Sequence, residues 1–222
     1  MNKSTRNALT GTLLCALLAG CGSSVVMDPP TIPTPLIEKI PATVGLRMPP
    51  NFQDFVHEEE VIGREEWSID LNNSNAALFE QLFGHMFEEV KVLGPEEDAQ
   101  NLNLDALIEP SIDAFEFSVP NQSKTESFAV WIRYRIRVYD DEGDQVANWP
   151  VSAYGKSQTS SVSGSQALQR AAILAMRDAA ALMIMKLDEA TGISKIVEAR
   201  AALSDPPAEM MTEELNSVTE SD

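Results

Sequence analysis

The chain is short of basic residues. Its 222 residues hold 16 Lys and Arg against 34 Asp and Glu, a formal net charge of -18 at pH 7. A surface this acidic repels phosphate backbones and anionic head groups, which argues against DNA or RNA as a partner and against membrane attachment through a basic patch. Histidine is scarcer still: only His57 and His85. Glu58-Glu59-Glu60 follows His57, but the second histidine of HExxH is missing, so no metal site is expected. A Gly-rich phosphate loop and GxSxG are also absent, so neither a nucleotide cradle nor an activated serine is indicated. The expectation is a protein that is not an enzyme and carries no cofactor. Long hydrophobic runs are lacking too; the apolar stretch from Ala8 to Ala19 is too short to span a bilayer permanently.

That stretch has a role of its own. It follows a start whose charges are Lys3 and Arg6 and precedes small residues, as in a secretory leader. The segment Leu18-Ala19-Gly20-Cys21 resembles the lipobox of bacterial lipoproteins, and the resemblance implies that Cys21 is acylated and becomes the first residue of the mature chain. Gly22, rather than aspartate, follows it, which resembles cargo sent on to the outer membrane, there to face the periplasm. Cys15 lies within the leader, so the lipidated cysteine would be the one that remains and no disulfide can form. Several acyl chains on one residue suffice for stable anchoring where one does not.

The composition then divides the chain. Residues 1–20 read as the leader. Residues 21–50 read as the lipidated cysteine and a proline-rich tether, since seven of the thirteen prolines fall between Pro29 and Pro50. Stretched in polyproline geometry, about twenty such residues would reach roughly 60 Å. Residues 51–203 read as an α/β periplasmic domain, and residues 204–222, with six acids and no base, as a disordered tail.

Within the domain the clearest element is Phe128 to Tyr139. Val130, Ile132, Tyr134, Ile136 and Val138 alternate with Trp131, Arg133, Arg135, Arg137 and Tyr139, the period of a strand with one buried and one wet face. Leu107 to Val119 is its antiparallel partner, with a change of parity near Ala114 that predicts a β-bulge. Asp140 to Asp144 is a hairpin turn with Gly143 at a positive φ; its acids resemble a calcium loop, but the twelve-residue spacing is missing. Gln145 to Lys156 returns as a strand with Trp149, Val151, Ala153 and Gly155 on one side, and Pro150 suggests an edge or a bulge. Glu66 to Leu71 is a further strand, Val44 to Met48 a short one, and residues 52–64 an acidic loop. Asn73-Ser74-Asn75 offers caps to a helix of about four turns carrying Leu78, Phe79, Leu82 and Phe83, and a short strand follows from Val90. The last helix, Gln166 to Ala190, is capped by Ser163 and is apolar around most of its girth, so it needs cover on more than one side. These elements predict an α+β fold: a mostly antiparallel sheet of four to five strands with two helices packed on one face.

Two surfaces carry functional content. Trp131, Arg133, Arg135, Arg137 and Tyr139 could grip an anionic glycolipid or polysaccharide through guanidinium forks, or be neutralised by Glu109, Asp113 and Glu116 on the neighbouring strand. On the last helix, Ile173, Met176, Met183 and Leu187 are candidates for an interface with another molecule, including a second copy in a homo-oligomer. The Tyr139-Asp140-x-x-Gly143 turn, Trp149, Gly155 and the helix bearing Ala172 and Arg177-Asp178-Ala179-Ala180 resemble Gram-negative outer-membrane lipoproteins with a small α/β domain. That group includes the lipoprotein subunit of the lipopolysaccharide translocon and lipoproteins of polysaccharide and curli secretion. The resemblance implies a lipid-anchored, non-enzymatic accessory subunit of an envelope assembly, transport or secretion complex, with other envelope proteins as partners and a glycolipid or polysaccharide carrier as the alternative.

Overall fold

The computed structural model describes residues 23–61, 65–120, 125–158 and 163–188, together with residue 198. The elements run β1 (Ser23–Val26), β2 (Ile40–Arg47), α1 (Pro50–Gln53), β3 (Val56–Val61), β4 (Glu65–Asp70), α2 (Ser74–Met86), β5 (Phe87–Leu93), β6 (Ala106–Ser118), β7 (Ser127–Tyr139), β8 (Gln145–Gln158) and α3 (Gly164–Asp188).

Strand β7 behaves as its alternation requires. Val130, Ile132, Tyr134, Ile136 and Val138 are buried, and the arginines between them lie on the other face. It pairs antiparallel with β6 and β8, and its register with β6 shifts between Ile112 and Ala114, where the parity of the sequence slips. The bulge brings Phe115 and Phe117 back onto the buried side.

The sheet is mixed, however, and not mostly antiparallel. Its order is β5-β2-β6-β7-β8, and β2 runs parallel to both neighbours. A second sheet of three strands, β1-β4-β3, joins β1 parallel to β4 and β3 antiparallel to it. Two of these strands escape a pattern search for physical reasons. On β3 the inward positions are the half-buried His57 and Glu59 and the buried Val61, so two of the three are polar and no hydrophobic alternation marks it; His57 lies against Phe115 and Phe117, at ring distances of 5.2 and 5.8 Å. β1 has only four residues.

The expected tether at 21–50 is largely part of the fold. Met27, Ile32, Val44, Leu46 and Met48 are buried. The prolines sit where a missing N–H costs little. Pro41 lies at the register shift of β2, Pro50 at the start of α1, and Pro29 to Pro35 in the connection between β1 and β2. Helix side chains hold that connection by its backbone: Gln81 Nε2 donates to the Pro30 carbonyl at 3.2 Å, Arg177 Nε to that of Thr31 at 3.1 Å, and Gln169 Nε2 to that of Val26 at 3.3 Å.

Helices α2 and α3 and the small sheet all cover the same face of the larger sheet. α3 lies directly on β8 at Gly155, where any Cβ would overlap the backbone of Ala171 and Ala175. Ser163 Oγ accepts the N–H of Gln166 at 3.3 Å, the expected cap. At α2 the expected cap is replaced: Asn73 makes no side-chain cap bond, and Asn75 points inward. Asn75 Nδ2 donates to the Phe52 carbonyl at 3.0 Å, while its Oδ1 accepts the Tyr134 hydroxyl at 3.0 Å.

Burial raises the Tyr134 phenol well above its ordinary value. Below about pH 10 the hydroxyl is neutral in folded and unfolded chains alike; above it the unfolded chain ionises first, so folding stability falls as pH rises. Replacing Tyr134 by Phe should cost about 1 kcal/mol at neutral pH and make the alkaline decline shallower, as measured by urea unfolding on both sides of pH 10. An unchanged alkaline slope would place the titrating group elsewhere.

Candidate functional site

Because every described covering element lies on one face, the described residues leave the opposite face of β6, β7 and β8 open. Trp131, Arg133, Arg135, Arg137 and Tyr139 all stand on it, as their parity requires. Most of this row is engaged with its own sheet. Arg135 grips Asp113 with two nitrogens, Nη2 to Oδ2 at 2.5 Å and Nε to Oδ1 at 3.1 Å, and reaches Asn148 Oδ1 with Nη1 at 3.1 Å. The hydrogen bond to Asp113 raises the Arg135 pKa further. Arg137 donates to Ser111 Oγ at 3.3 Å. Glu109 lies 2.9 Å from Arg47 Nε, an ion pair off the line of a true hydrogen bond. Tyr139 is raised by partial burial first and by the Glu109 charge second.

The near end of the row differs. Trp131 and Tyr154 sit opposite each other on β7 and β8, with ring centroids 5.1 Å apart and each 43% exposed. Arg133 beside them is exposed, its Nε donating to Ser152 Oγ at 3.3 Å, and Glu116 lies across from Trp131. The hollow between Glu116, Trp131, Arg133 and Ser152 measures about 220 Å³. Tyr154 was not among the expected site residues, although its signal was present. With Val151, Ala153 and Gly155 inward, parity places Tyr154 outward beside Trp131.

At the far end a groove of about 670 Å³ opens between the loop at 98–104 and the turn after β7. Arg47 faces Asp98, Glu109, Asp140 and Asp141 there, so its charge is negative. The turn is built as expected: Asp140 Oδ1 accepts the N–H groups of Glu142 and Asp144 at 3.1 and 2.8 Å, and Gly143 has φ +88°. One carboxylate oxygen each from Asp140, Glu142 and Asp144 falls within 4.8 Å of the others, on an exposed turn whose first acid is already occupied by backbone.

The interface expected on α3 needs correction. Met176 and Met183 are fully buried in the chain's own core, and Ile173 is half-buried against it. The second side of this apolar helix is covered by β1 and the segment after it, the residues read from sequence as a tether. The side chain of Leu187 lies outside the described residues, as do Cys21 and the tail. No described helix is long and apolar enough to cross a membrane.

The sequence matches no protein-family model and no curated protein. Among solved structures it is similar to protein XCC0632 from Xanthomonas campestris, of the family model DUF330. That likeness has a TM-score of 0.51 and 10% identity over 82% of this chain and 100% of that one. It is more loosely similar to the hypothetical protein CT253 from Chlamydia trachomatis (TM-score 0.41, 9% identity, 68% and 97% covered) and to lipoprotein GNA1162 from Neisseria meningitidis (TM-score 0.27, 11% identity, 67% and 96% covered). The first shares the fold; the other two overlap too loosely to bear on function.

The Arg135–Asp113 pair is partly solvated, so its coupling should be small. A double-mutant cycle of Arg135→Ala and Asp113→Ala, followed by urea unfolding, should return no more than about 1 kcal/mol. A much larger coupling would make the arginine row part of the scaffold rather than a surface.

Proposed function

We propose that this chain is a lipid-anchored protein of the cell envelope that works without catalysis, as an accessory subunit docking to other envelope proteins through the open face of its larger sheet. Acylation at Cys21 supplies the anchor, on the strength of the Leu18-Ala19-Gly20-Cys21 segment. The loose motif likeness to translocon and secretion lipoproteins directs the reading toward assembly or transport at the outer membrane.

The observation that carries the docking role is the exposed, mutually tilted ring pair Trp131 and Tyr154 on the open face of the sheet. Aromatic side chains beside an arginine are the groups that dominate protein interfaces, and small-ligand sites are instead concave, with volumes of roughly 300–1,000 Å³. The hollow at Trp131 falls below that range.

A second reading, a carrier of anionic glycolipid or polysaccharide, is favoured by the exposed Arg133 beside the two rings. Charge weighs against it. Along the row Arg135 is paired with Asp113 and Arg137 is bonded to Ser111, and the groove at the far end of the face is acidic.

The test is the native size of the protein solubilised from envelopes. The pair Trp131→Ala and Tyr154→Ala should weaken assembly about thirtyfold, equivalent to about 2 kcal/mol, while folding stability is unchanged. A complex that survives both substitutions overturns the docking role. Loss of glycolipid binding in Arg133→Glu with assembly intact would establish the carrier instead, and a complex containing only this chain would identify a second copy as the partner.

A further inference from the structure

The fold starts very close to the proposed anchor. β1 begins at Ser23, so only Gly22 separates it from Cys21, a span of at most about 7 Å. No spacer intervenes, because the proline-rich segment comes after β1 and is held down by Gln81, Gln169 and Arg177. β1 itself is paired along its whole length, Ser23 with Trp67 through Val26 with Asp70, so it is a fixed part of the body rather than a loose arm.

The register says which part of the body this is. Ser23 lies beside Trp67, and on the other side of β4 Trp67 lies beside Glu59. Continuing back along β1 therefore leads toward the end of the small sheet where β3 finishes at Val61 and β4 starts. Trp67 in turn lies tilted against Phe117 and Phe128, at 6.4 and 5.5 Å, near the end of β6 and the start of β7. Tyr139, at the other end of β7, is eleven residues beyond Phe128, about 36 Å along the strand.

We infer that the corner made by the start of β1 and the Val61 end of β3 is the surface that faces the lipid bilayer, and that β7 leads away from it. The inference rests on acylation of Cys21 as proposed above. The acidic groove and the Asp140–Asp144 turn then stand at the membrane-distal end, while the Trp131–Tyr154 pair sits on the near half of the open face. The corner itself carries Glu58, Glu60 and Glu66 around Ser23 and Ser24. Those carboxylates oppose anionic head groups, so the acyl chains, and not this surface, supply the attraction.

The test uses the full lipidated chain in vesicles of phosphatidylethanolamine and phosphatidylglycerol with a nitroxide quencher on the head group. A fluorophore is attached at Glu60→Cys or, separately, at Glu142→Cys. Flotation and the mass of the Cys21 peptide read the anchor independently. The expected result is loss of most of the emission at position 60, little loss at position 142, and recovery at position 60 when about twenty Gly and Ser residues, reaching about 25 Å, are inserted after Gly22. Equal quenching at the two positions in a floated, acylated protein, or no recovery on insertion, overturns the inference and leaves the anchor standing. An unacylated Cys21 and no flotation overturn the anchor and this inference together.

Discussion

The close approach of α3 to β8 at Gly155 is the constraint on which the rest of the molecule depends. With no side chain in the way, the helix backbone rests on the strand, and two of its polar groups reach the strand's free edge. Asp178 accepts the N–H of Tyr154 at 3.0 Å and Lys186 donates to the carbonyl of Pro150 at 3.2 Å. Together with Pro150 they occupy backbone groups that would otherwise invite another strand. On its other flank the same helix uses Gln169 and Arg177 to fix the segment after β1. One helix thus blunts an edge, buries its apolar girth, and fastens the beginning of the described fold to its end.

Among the described residues the inner face and that edge are occupied while the outer face is uncovered, and the electrostatics of that face limit what it could recognise. Of the arginines in the row, Arg135 is neutralised by Asp113 and Arg137 is held by Ser111. What stays exposed is aromatic surface next to one guanidinium, in a protein whose charge is strongly negative. Such a surface is better suited to a shape- and ring-based contact with protein than to collecting polyanions.

Much of this was legible before the structure. The alternation of β7, the bulge near Ala114, the Gly143 turn, the Ser163 cap and the edge position of Pro150 are each set by local chemistry, and each is found where expected. What was not legible depends on distant partners. Proline density suggests a spacer when read alone, and only the carbonyl contacts from α2 and α3 show it to be a packed connection. For the same reason the second side of α3 looked available: Gln169 and Arg177 on it reach residues some 145 positions earlier in the chain, while Met176 and Met183 are buried in the core. β3 hides because two of its three inward residues are the polar His57 and Glu59, and Asn75 because its capping chemistry serves Tyr134 instead. At the candidate site the arginine row followed from parity, whereas Tyr154 gains its meaning from pairing with Trp131 across two strands.

The central claim is that the open face of the larger sheet is covered by a partner where the protein works. Hydroxyl-radical footprinting of intact envelopes against the isolated protein tests it directly, with the exposed Met185 of α3 as an internal reference. The account predicts that Trp131 and Tyr154 oxidise several-fold more slowly in the envelope while Met185 does not change. Equal rates at the two rings in both settings would contradict it.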